Sequence, residues 1–401
     1  MVKPKQKYVR KISNKGAAER QVTSLPFDIQ SNILSRVPLE SIFSCRCVCK
    51  SWYRMSGDPS FIKLYQERNN NNNEDDRPCK YIIQARNRAN SERLLFLDIH
   101  GEKLREISLE HMNLSLNFRY KLSAFRIISS CNGLLCLAPN GKMDPILICN
   151  PLTRDCVILP SSRTISRELP VRSYQVGFHF DPLLENKYKV VREFRCDNDE
   201  ACKFQMIAIG DSSWKDLSGA PNFFLECGFD AAIYWNGAFH WKISELDHRH
   251  NNNFILSFDL IDETFYTIFF TNYDEVQVPY NYRLVGLKGE LKIVEHDCRF
   301  LKLWNVSGNK IEGFSLWLEH RFILCVPRSR LLQHYLICEI ERRSYLMQVF
   351  SWEGGNNQTC RLVRFSPEIE KIYDLEINCE LPNLFSIICF KPSIVSPLMS
   401  T

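Results

Sequence analysis

The stretch LPFDIQSNILSRVPLESIFSCRCVCKSW, residues 25–52, is the part of the chain whose fold is read most directly from its pattern. Ile29 and Ile33 lie four residues apart, which is the spacing of one apolar face of an α-helix. Pro26 suits the first turn of a helix, and Pro38 ends it because proline cannot continue the backbone hydrogen-bond ladder. The sequence therefore predicts a short helix between the two prolines.

Three more short helices are expected after this one, over residues 39–48, 49–55 and 60–67. Asp58 followed by Pro59 is typical of a helix cap and first turn. The run of asparagine and acidic residues at 69–76 has the low complexity of a linker. We therefore place the end of the helical module there.

Beyond the linker, the sequence changes to short apolar runs that are separated by turn dipeptides, which is typical of β-structure. The segment AAIYWNGAFHW, residues 231–241, is the clearest hairpin because its Asn-Gly pair suits a two-residue turn. The predicted turns are Asn140-Gly141, Gly210-Asp211, Asn236-Gly237, Lys288-Gly289 and Gly354-Gly355.

The strand-turn-strand units recur at roughly 45 to 50 residues, close to the length of a four-stranded propeller blade. That period predicts a β-propeller of six or seven blades. A pair of β-sandwiches has the same alternation of apolar and polar residues, so only the period distinguishes the two architectures. The fold class is thus a multidomain α plus all-β protein.

Positive charge is concentrated at the N-terminus. The chain carries a net charge of +5, while its first twenty residues contain seven Lys or Arg and one acid, a net of +6. The rest of the chain therefore carries −1 and lacks the positive field that binding to phosphates requires. No nucleic-acid partner is expected for the folded part, and the basic segment is predicted to be a disordered tail.

The segment at 25–52 resembles the F-box motif position by position. The residues that carry the resemblance are Leu25-Pro26, Ile33-Leu34, Leu39, Ile42 and the run RCVCKSW at 46–52. Asn32 and Glu40 depart from the plant-type pattern, which usually has an acid and a lysine there.

The rest of the chain is similar to the F-box-associated domain of a large plant group, a kelch-like region used for partner binding. The motifs that carry this similarity are SCNGLLCL (130–137), ICNPLTRDCVILP (148–160), GFHFDPLLENKYKVV (177–191), SSWKDLS (212–218), YWNGAFHW (234–241) and ILSFDLIDETF (255–265). The predicted organisation is a basic tail (1–22), an F-box helical domain (23–67), an Asn-rich acidic linker (68–79), a kelch-like β-propeller (80–395) and a short tail (396–401).

The helical module is too small and too apolar to bury all of its large side chains internally. Part of this apolar set should form an exposed patch of the kind that marks an interaction site. The resemblance implies that the residues nearest a Skp-type adaptor are Leu25, Pro26, Ile33, Leu34, Leu39, Ile42, Val48 and Trp52, with Lys50 on the rim. The alternative is that Ile29, Ile33 and Trp52 belong to the core of the module.

No catalytic signature is found in the sequence, since G-x-S-x-G and H-E-x-x-H are both absent. The seventeen cysteines include no C-x-x-C pair, which favours small buried apolar residues over a zinc site. We therefore expect no catalytic residues, no metal and no cofactor. No apolar run approaches the ~18 residues that span a bilayer, so no membrane association is expected.

The resemblance implies a substrate-recognition subunit of a Skp–cullin–F-box ubiquitin ligase. Its partners would be the Skp-type adaptor, through it a cullin and a RING protein, and a target protein held by the propeller; the substrate-binding residues stay unknown. The alternatives are a binding module outside a ligase, such as a scaffold or a glycan-reading lectin, and a propeller enzyme with a small-molecule pocket. The expected localisation is cytoplasmic and nuclear.

Overall fold

The computed structural model describes residues 25–70, 80–86, 92–98, 103–107, 124–139, 142–162, 171–181, 187–196, 202–221, 231–242, 254–269, 282–296, 300–309, 313–323, 332–341, 344–353, 357–366, 371–375 and 385–400. The predicted disordered tail and most of the linker lie outside these residues, as do the predicted turns Asn140-Gly141 and Gly354-Gly355.

The N-terminal module consists of four helices: α1 (Phe27–Leu34), α2 (Leu39–Cys45), α3 (Lys50–Ser56) and α4 (Pro59–Asn70). Prolines stand immediately before α1 and α2, and Asp58 caps α4 by accepting from the backbone N–H groups of Ser60 and Phe61. The structure extends α4 to Asn70, so the first two asparagines of the predicted linker belong to the helix.

The four helices pack around a small apolar core of Leu34, Ile42, Met55, Phe61 and Ile62. This core belongs to the same hydrophobic cluster as buried residues of the β-domain, among them Leu134 and Val176. Substitutions in the helix core therefore disturb a cluster that extends beyond the helices.

Within the residues that the structure describes, the β-domain contains twenty-four strands. They are β1 (Lys80–Arg86), β2 (Glu92–Asp98), β3 (Lys103–Ile107), β4 (Phe125–Cys131), β5 (Leu134–Pro139), β6 (Leu147–Cys149), β7 (Cys156–Ile158), β8 (Val171–Asp181), β9 (Lys187–Cys196), β10 (Lys203–Ala208), β11 (Lys215–Leu217), β12 (Ile233–Trp235), β13 (Ala238–Lys242), β14 (Phe254–Asp259), β15 (Thr264–Phe269), β16 (Tyr282–Leu287), β17 (Glu290–His296), β18 (Phe300–Asn309), β19 (Gly313–Ile323), β20 (Leu332–Glu341), β21 (Ser344–Glu353), β22 (Asn357–Ser366), β23 (Lys371–Asp374) and β24 (Phe385–Phe390).

These strands form six four-stranded antiparallel sheets in the described part of the chain. Five sheets use consecutive strands, β4–β7, β8–β11, β12–β15, β16–β19 and β20–β23, and the sixth has the order β24-β1-β2-β3. One strand of each blade contacts the corresponding strand of the next blade, and we call these the inner strands: β4, β8, β12, β16, β20 and β24. They form a ring that closes from β20 through β24 to β4. The predicted propeller is confirmed with six blades, and the β-sandwich alternative is wrong because the inner strands close a ring.

The C-terminal strand closes the propeller by pairing with the first strand of the β-domain. In this pairing β24 lies antiparallel to β1, with Lys80 opposite Phe390 and Ala85 opposite Phe385. Both strands are apolar on the face that enters the blade core, where Tyr81 and Ile83 are fully buried. The ends of the β-domain are thus held together by a backbone ladder and a shared core.

The predicted hairpin turns within the described residues adopt the backbone that their sequences favour. Asn236 and Gly237 both have positive φ, as do Lys288 and Gly289, which is the geometry of a type I′ turn. Asn132 and Gly133 form a further turn of this kind between β4 and β5. The predicted turn at Gly210-Asp211 follows β10, where the Asp211 amide donates to the carbonyl of Ala208.

Residues 391–400, which we call the C-terminal strap, follow β24 and lie against the blade of strands β4–β7. The buried side chain of Asn150 donates through Nδ2 to the carbonyls of Ser393 (2.9 Å) and Val395 (2.7 Å). A short 3-10 helix, Pro397–Ser400, then contacts β7. The sequence predicts a short tail at 396–401, but Ser396 is buried and the helix at 397–400 contacts β7, because Asn150 fixes the chain that precedes them.

Candidate functional site

The helical module exposes several large apolar side chains, which we together call the helical patch. Its members and their exposed fractions are Leu25 (52%), Phe27 (46%), Ile29 (48%), Ile33 (51%), Val48 (67%) and Tyr53 (54%). Six large apolar side chains on so small a module are far more than isolated exposed residues would give. The patch is therefore the described surface that best fits a protein-binding site.

Helix α1 carries apolar residues on two sides, and this explains how the patch arises. Ile29 and Ile33 lie one turn apart on the solvent side, whereas Ser31 and Leu34 face the core of the module. The helix therefore satisfies its own core with one side and leaves a second apolar side uncovered by the residues that the structure describes.

The structure separates the predicted adaptor contacts into three groups. Exposed members are Leu25, Pro26, Ile33, Val48 and Lys50; half-buried members are Leu39 and Trp52; buried members are Leu34 and Ile42. The last two are corrected to core residues, since only 4% of Leu34 and 1% of Ile42 is exposed. Contact of the exposed group with an adaptor stays a prediction.

The alternative assignment to the core is wrong for Ile29 and Ile33, which are about half exposed, whereas Trp52 is half-buried and packs against the core. Sequence reasoning also missed Phe27 and Tyr53 as exposed apolar residues. Tyr53 follows the motif residue Trp52 in the chain. The guanidinium of Arg46 lies 5.0 Å from the ring centroid of Tyr53. An aromatic residue beside basic side chains was the signal that would have identified this edge of the patch.

Polar side chains tie the helices together behind the patch. The Gln30 side chain accepts a hydrogen bond from the indole N–H of Trp52 (3.0 Å) and donates to the carbonyl of Leu25. At the other end of α1, the guanidinium of Arg68 donates to the Asn32 carbonyl (3.0 Å) and to the Ser35 hydroxyl. These bonds connect α1 to α3 and α4 and fix the orientation of the side that the patch occupies.

The propeller buries an ionic network between the blade of strands β4–β7 and the blade of strands β8–β11. Arg192 is fully buried; its Nη1 lies 2.8 Å from Asp144 Oδ1, and its Nε and Nη2 donate to Gln205 Oε1 at 3.0 and 2.7 Å. Its guanidinium carbon also lies 3.8 Å from the ring centroid of Trp214. Because each of these groups is satisfied by its neighbours, the network joins the blades and is not a ligand site.

Cys131, His179 and Tyr234 come from the inner strands of three successive blades and meet in one place. Cys131 Sγ lies 3.7 Å from His179 Nδ1, and the imidazole stacks on the Tyr234 ring with 3.3 Å between centroids. Burial raises the pKa of the Cys131 thiol to about 11 and lowers the pKa of His179 to about 4. Both groups are therefore neutral near pH 7, and the thiol is not an activated nucleophile.

His240 is a second buried imidazole, and its partners give it a structural role. Its Nε2 lies 3.1 Å from the carbonyl of Trp235, and its Nδ1 lies 2.7 Å from the hydroxyl of Ser257. Burial lowers the pKa of His240 to about 4, so the neutral ring donates to the carbonyl and accepts from the hydroxyl. Since His240 and Ser257 are both almost fully buried, this pair offers no surface to a substrate.

In the part of the chain that the structure describes, no three His, Cys, Asp or Glu side chains are grouped closely enough to hold a metal ion. None of the described helices is long and apolar enough to cross a membrane. The helical patch is thus the feature that distinguishes this molecule from a plain propeller.

Two family models match the chain along its length. The model described as the F-box associated beta propeller domain matches residues 81–341, and the model described as the F-box domain matches residues 22–64. This chain belongs to the F-box proteins. The propeller match ends with β20, so β21–β24 complete the last blades beyond it.

Relatives of this F-box protein occur in Arabidopsis thaliana. One F-box protein of that plant is 25% identical over 391 residues, which cover 92% of this chain and 97% of the relative. Another is 28% identical over 297 residues, covering 66% of this chain and 64% of the relative. A putative F-box/kelch-repeat protein is 29% identical over 252 residues, covering 61% of this chain and 59% of the relative.

Proposed function

We propose that this F-box protein is the non-catalytic substrate-recognition subunit of a Skp–cullin–F-box ubiquitin ligase. The helical patch would bind a Skp-type adaptor, and through it a cullin and a RING protein. The propeller would hold a target protein for ubiquitination. We further propose that the protein acts in the cytoplasm and nucleus, where such ligases would meet their targets.

The observation that carries the proposal is the exposed helical patch on a module that matches the F-box domain. Fully burying a large apolar side chain contributes ~1.5–3 kcal/mol, and the six patch residues are about half exposed, so covering them contributes roughly 5–9 kcal/mol before the cost of association. That contribution offsets much of the cost of association and leaves the remainder to polar contacts at the rim. Lys50 and Arg46 lie close by along the chain and suit an acidic rim on the partner.

The mechanism that follows is proximity. The chain would hold a target on one domain and the adaptor on the other, which raises the local concentration of the target's lysines near the charged conjugating enzyme. This role requires no catalytic group of its own. The neutral, buried state of Cys131 and His179 is consistent with that division of labour.

Co-purification of the full chain with a Skp-type adaptor tests the proposal. We expect a stable complex with the wild type and none with Leu25→Asp combined with Pro26→Ala, because a carboxylate in an apolar interface has no partner. Leu318→Asp is the matched control, since Leu318 is a half-exposed apolar residue of the propeller (43%) and its change should leave the complex intact.

Two outcomes contradict the proposal in different ways. If the wild type forms no complex, the helical patch has another partner and the ligase role is wrong. If the complex forms but a reconstituted ligase transfers no ubiquitin to proteins captured by the propeller in cells, the chain is a scaffold or a lectin-like binding module. An unchanged circular dichroism spectrum of the double variant establishes that its propeller has remained folded.

A further inference from the structure

The start of helix α1 holds a predicted anchor residue that the helix itself does not fix. Pro26 occupies the N-cap position in an extended conformation (φ −52°, ψ 149°) and provides no side-chain cap. Leu25 precedes it and lies outside the helix, with half of its surface exposed. A group outside the helical backbone is therefore needed to place Leu25.

Gln30 is that group. Its Nε2 donates to the Leu25 carbonyl, and its Oε1 accepts from Trp52 Nε1 at 3.0 Å. Trp52 packs against the core cluster of the module, so it is itself fixed. One amide side chain therefore connects the residue before α1 to an anchored ring on α3.

We infer that Gln30 is a positioning residue for adaptor binding, an inference that rests on the proposed function. Gln30 sets the place of the Leu25 side chain before the partner arrives. Ordering a residue's backbone during association weakens binding, and a residue that is already ordered avoids this loss. The loss expected without Gln30 is about tenfold in Kd.

The test is a double-mutant cycle with purified adaptor, measured by calorimetry on the full chain. Gln30→Met has nearly the shape of glutamine but removes both hydrogen bonds. We expect it to raise Kd about tenfold in the wild-type background. In a Leu25→Ala background, the same change should leave Kd unaltered, because the side chain that Gln30 positions is gone.

This cycle separates positioning from a general loss of stability. Gln30→Met also removes the bond to Trp52, and a module destabilised by that loss would bind more weakly in both backgrounds, whereas a loss of positioning acts only where the Leu25 side chain is present. Asp58→Ala is the matched control because it removes the cap of α4, and with it hydrogen bonds to Ser60 and Phe61. We expect that variant to have a lower urea midpoint and an unchanged Kd.

Trp52→Phe provides the second arm, as it removes the indole donor and keeps the bond from Gln30 to Leu25. An increase in Kd smaller than that of Gln30→Met supports the inference. No increase in Kd would contradict the part of the inference in which Trp52 anchors Gln30. Equal increases for Gln30→Met in both backgrounds, or no increase at all in a chain that binds adaptor, overturn the positioning role alone. A wild type that does not bind adaptor overturns the proposed function and this inference together.

Discussion

At the scale of single residues, the propeller depends on charges that it has removed from water. Arg192 is fully buried, and three of its contacts, to Asp144, Gln205 and Trp214, come from different segments. Removing one member of a buried ion pair leaves the other charge without a partner, which costs about 3 kcal/mol. We expect Arg192→Met to lower the free energy of unfolding by about that amount, measured by urea denaturation.

Arg361 offers a matched control for that measurement. It also pairs with an aspartate, Asp374 at 3.0 Å, but more than half of each side chain is exposed. Because exposed ion pairs contribute ~0–1 kcal/mol, Arg361→Met should change the free energy of unfolding by less than about 0.5 kcal/mol. Equal losses for the two variants would contradict the view that burial gives Arg192 its importance.

At the scale of secondary-structure elements, the C-terminal strap presses on the turn between β4 and β5. Gly133 has φ +79°, and a Cβ there would lie 2.6 Å from the Cβ of Ser393. We expect Gly133→Ala to lower the free energy of unfolding by about 1 kcal/mol for the backbone conformation and by another 1–3 kcal/mol for the steric overlap. The strap should also be cleaved faster in limited proteolysis.

Gly237 and Gly289 separate these two contributions. Both lie in turns of the same kind with φ +81° and +75°, and a Cβ at either would meet nothing within 4 Å. Their alanine variants should therefore show only the ~1 kcal/mol conformational loss and no change in cleavage of the strap. A Gly133→Ala variant as stable as these two would show that the strap moves aside without cost.

Elements with local signals were predictable from the sequence, and elements that depend on distant pairing were not. The turns at Asn236 and Lys288 follow from their glycine neighbours, and the blade period followed from strand spacing. The resemblance placed Leu34 among the adaptor contacts, but its side chain is buried in the core; α1 has apolar residues on two sides, and the sequence pattern does not say which of them faces the core. The strap was missed because its anchor, Asn150, is far away in sequence.

At the scale of the whole molecule, closure of the ring rests on one strand. In five blades the inner strand leads directly into its own sheet, but the sheet of β1–β3 takes its inner strand from the C-terminus. This pairing brings residues 80–86 against residues 385–390. Contacts so distant in sequence form late in folding because their loop-closure entropy is large, which makes β24 the strand on which the closed state depends.

Two truncations distinguish the strand from the strap that follows it. A chain that ends at residue 390 keeps β24, so we expect it to stay monomeric and to unfold cooperatively. Its urea midpoint should be lower, because Ile394 and Val395 no longer cover the blade of strands β4–β7.

A chain that ends at residue 384 also loses Phe385 and Ile387, which are largely buried, and leaves the edge of β1 unpaired. Because an unpaired apolar edge is a template for association with other chains, we expect this chain to elute as an aggregate and to lose cooperative unfolding. Size-exclusion chromatography and urea denaturation measure both properties. A shorter chain that is monomeric and has the same urea midpoint as the longer one would contradict this prediction. In that case the five remaining inner strands form a closed ring without β24, and the pairing of β24 with β1 is not required for closure.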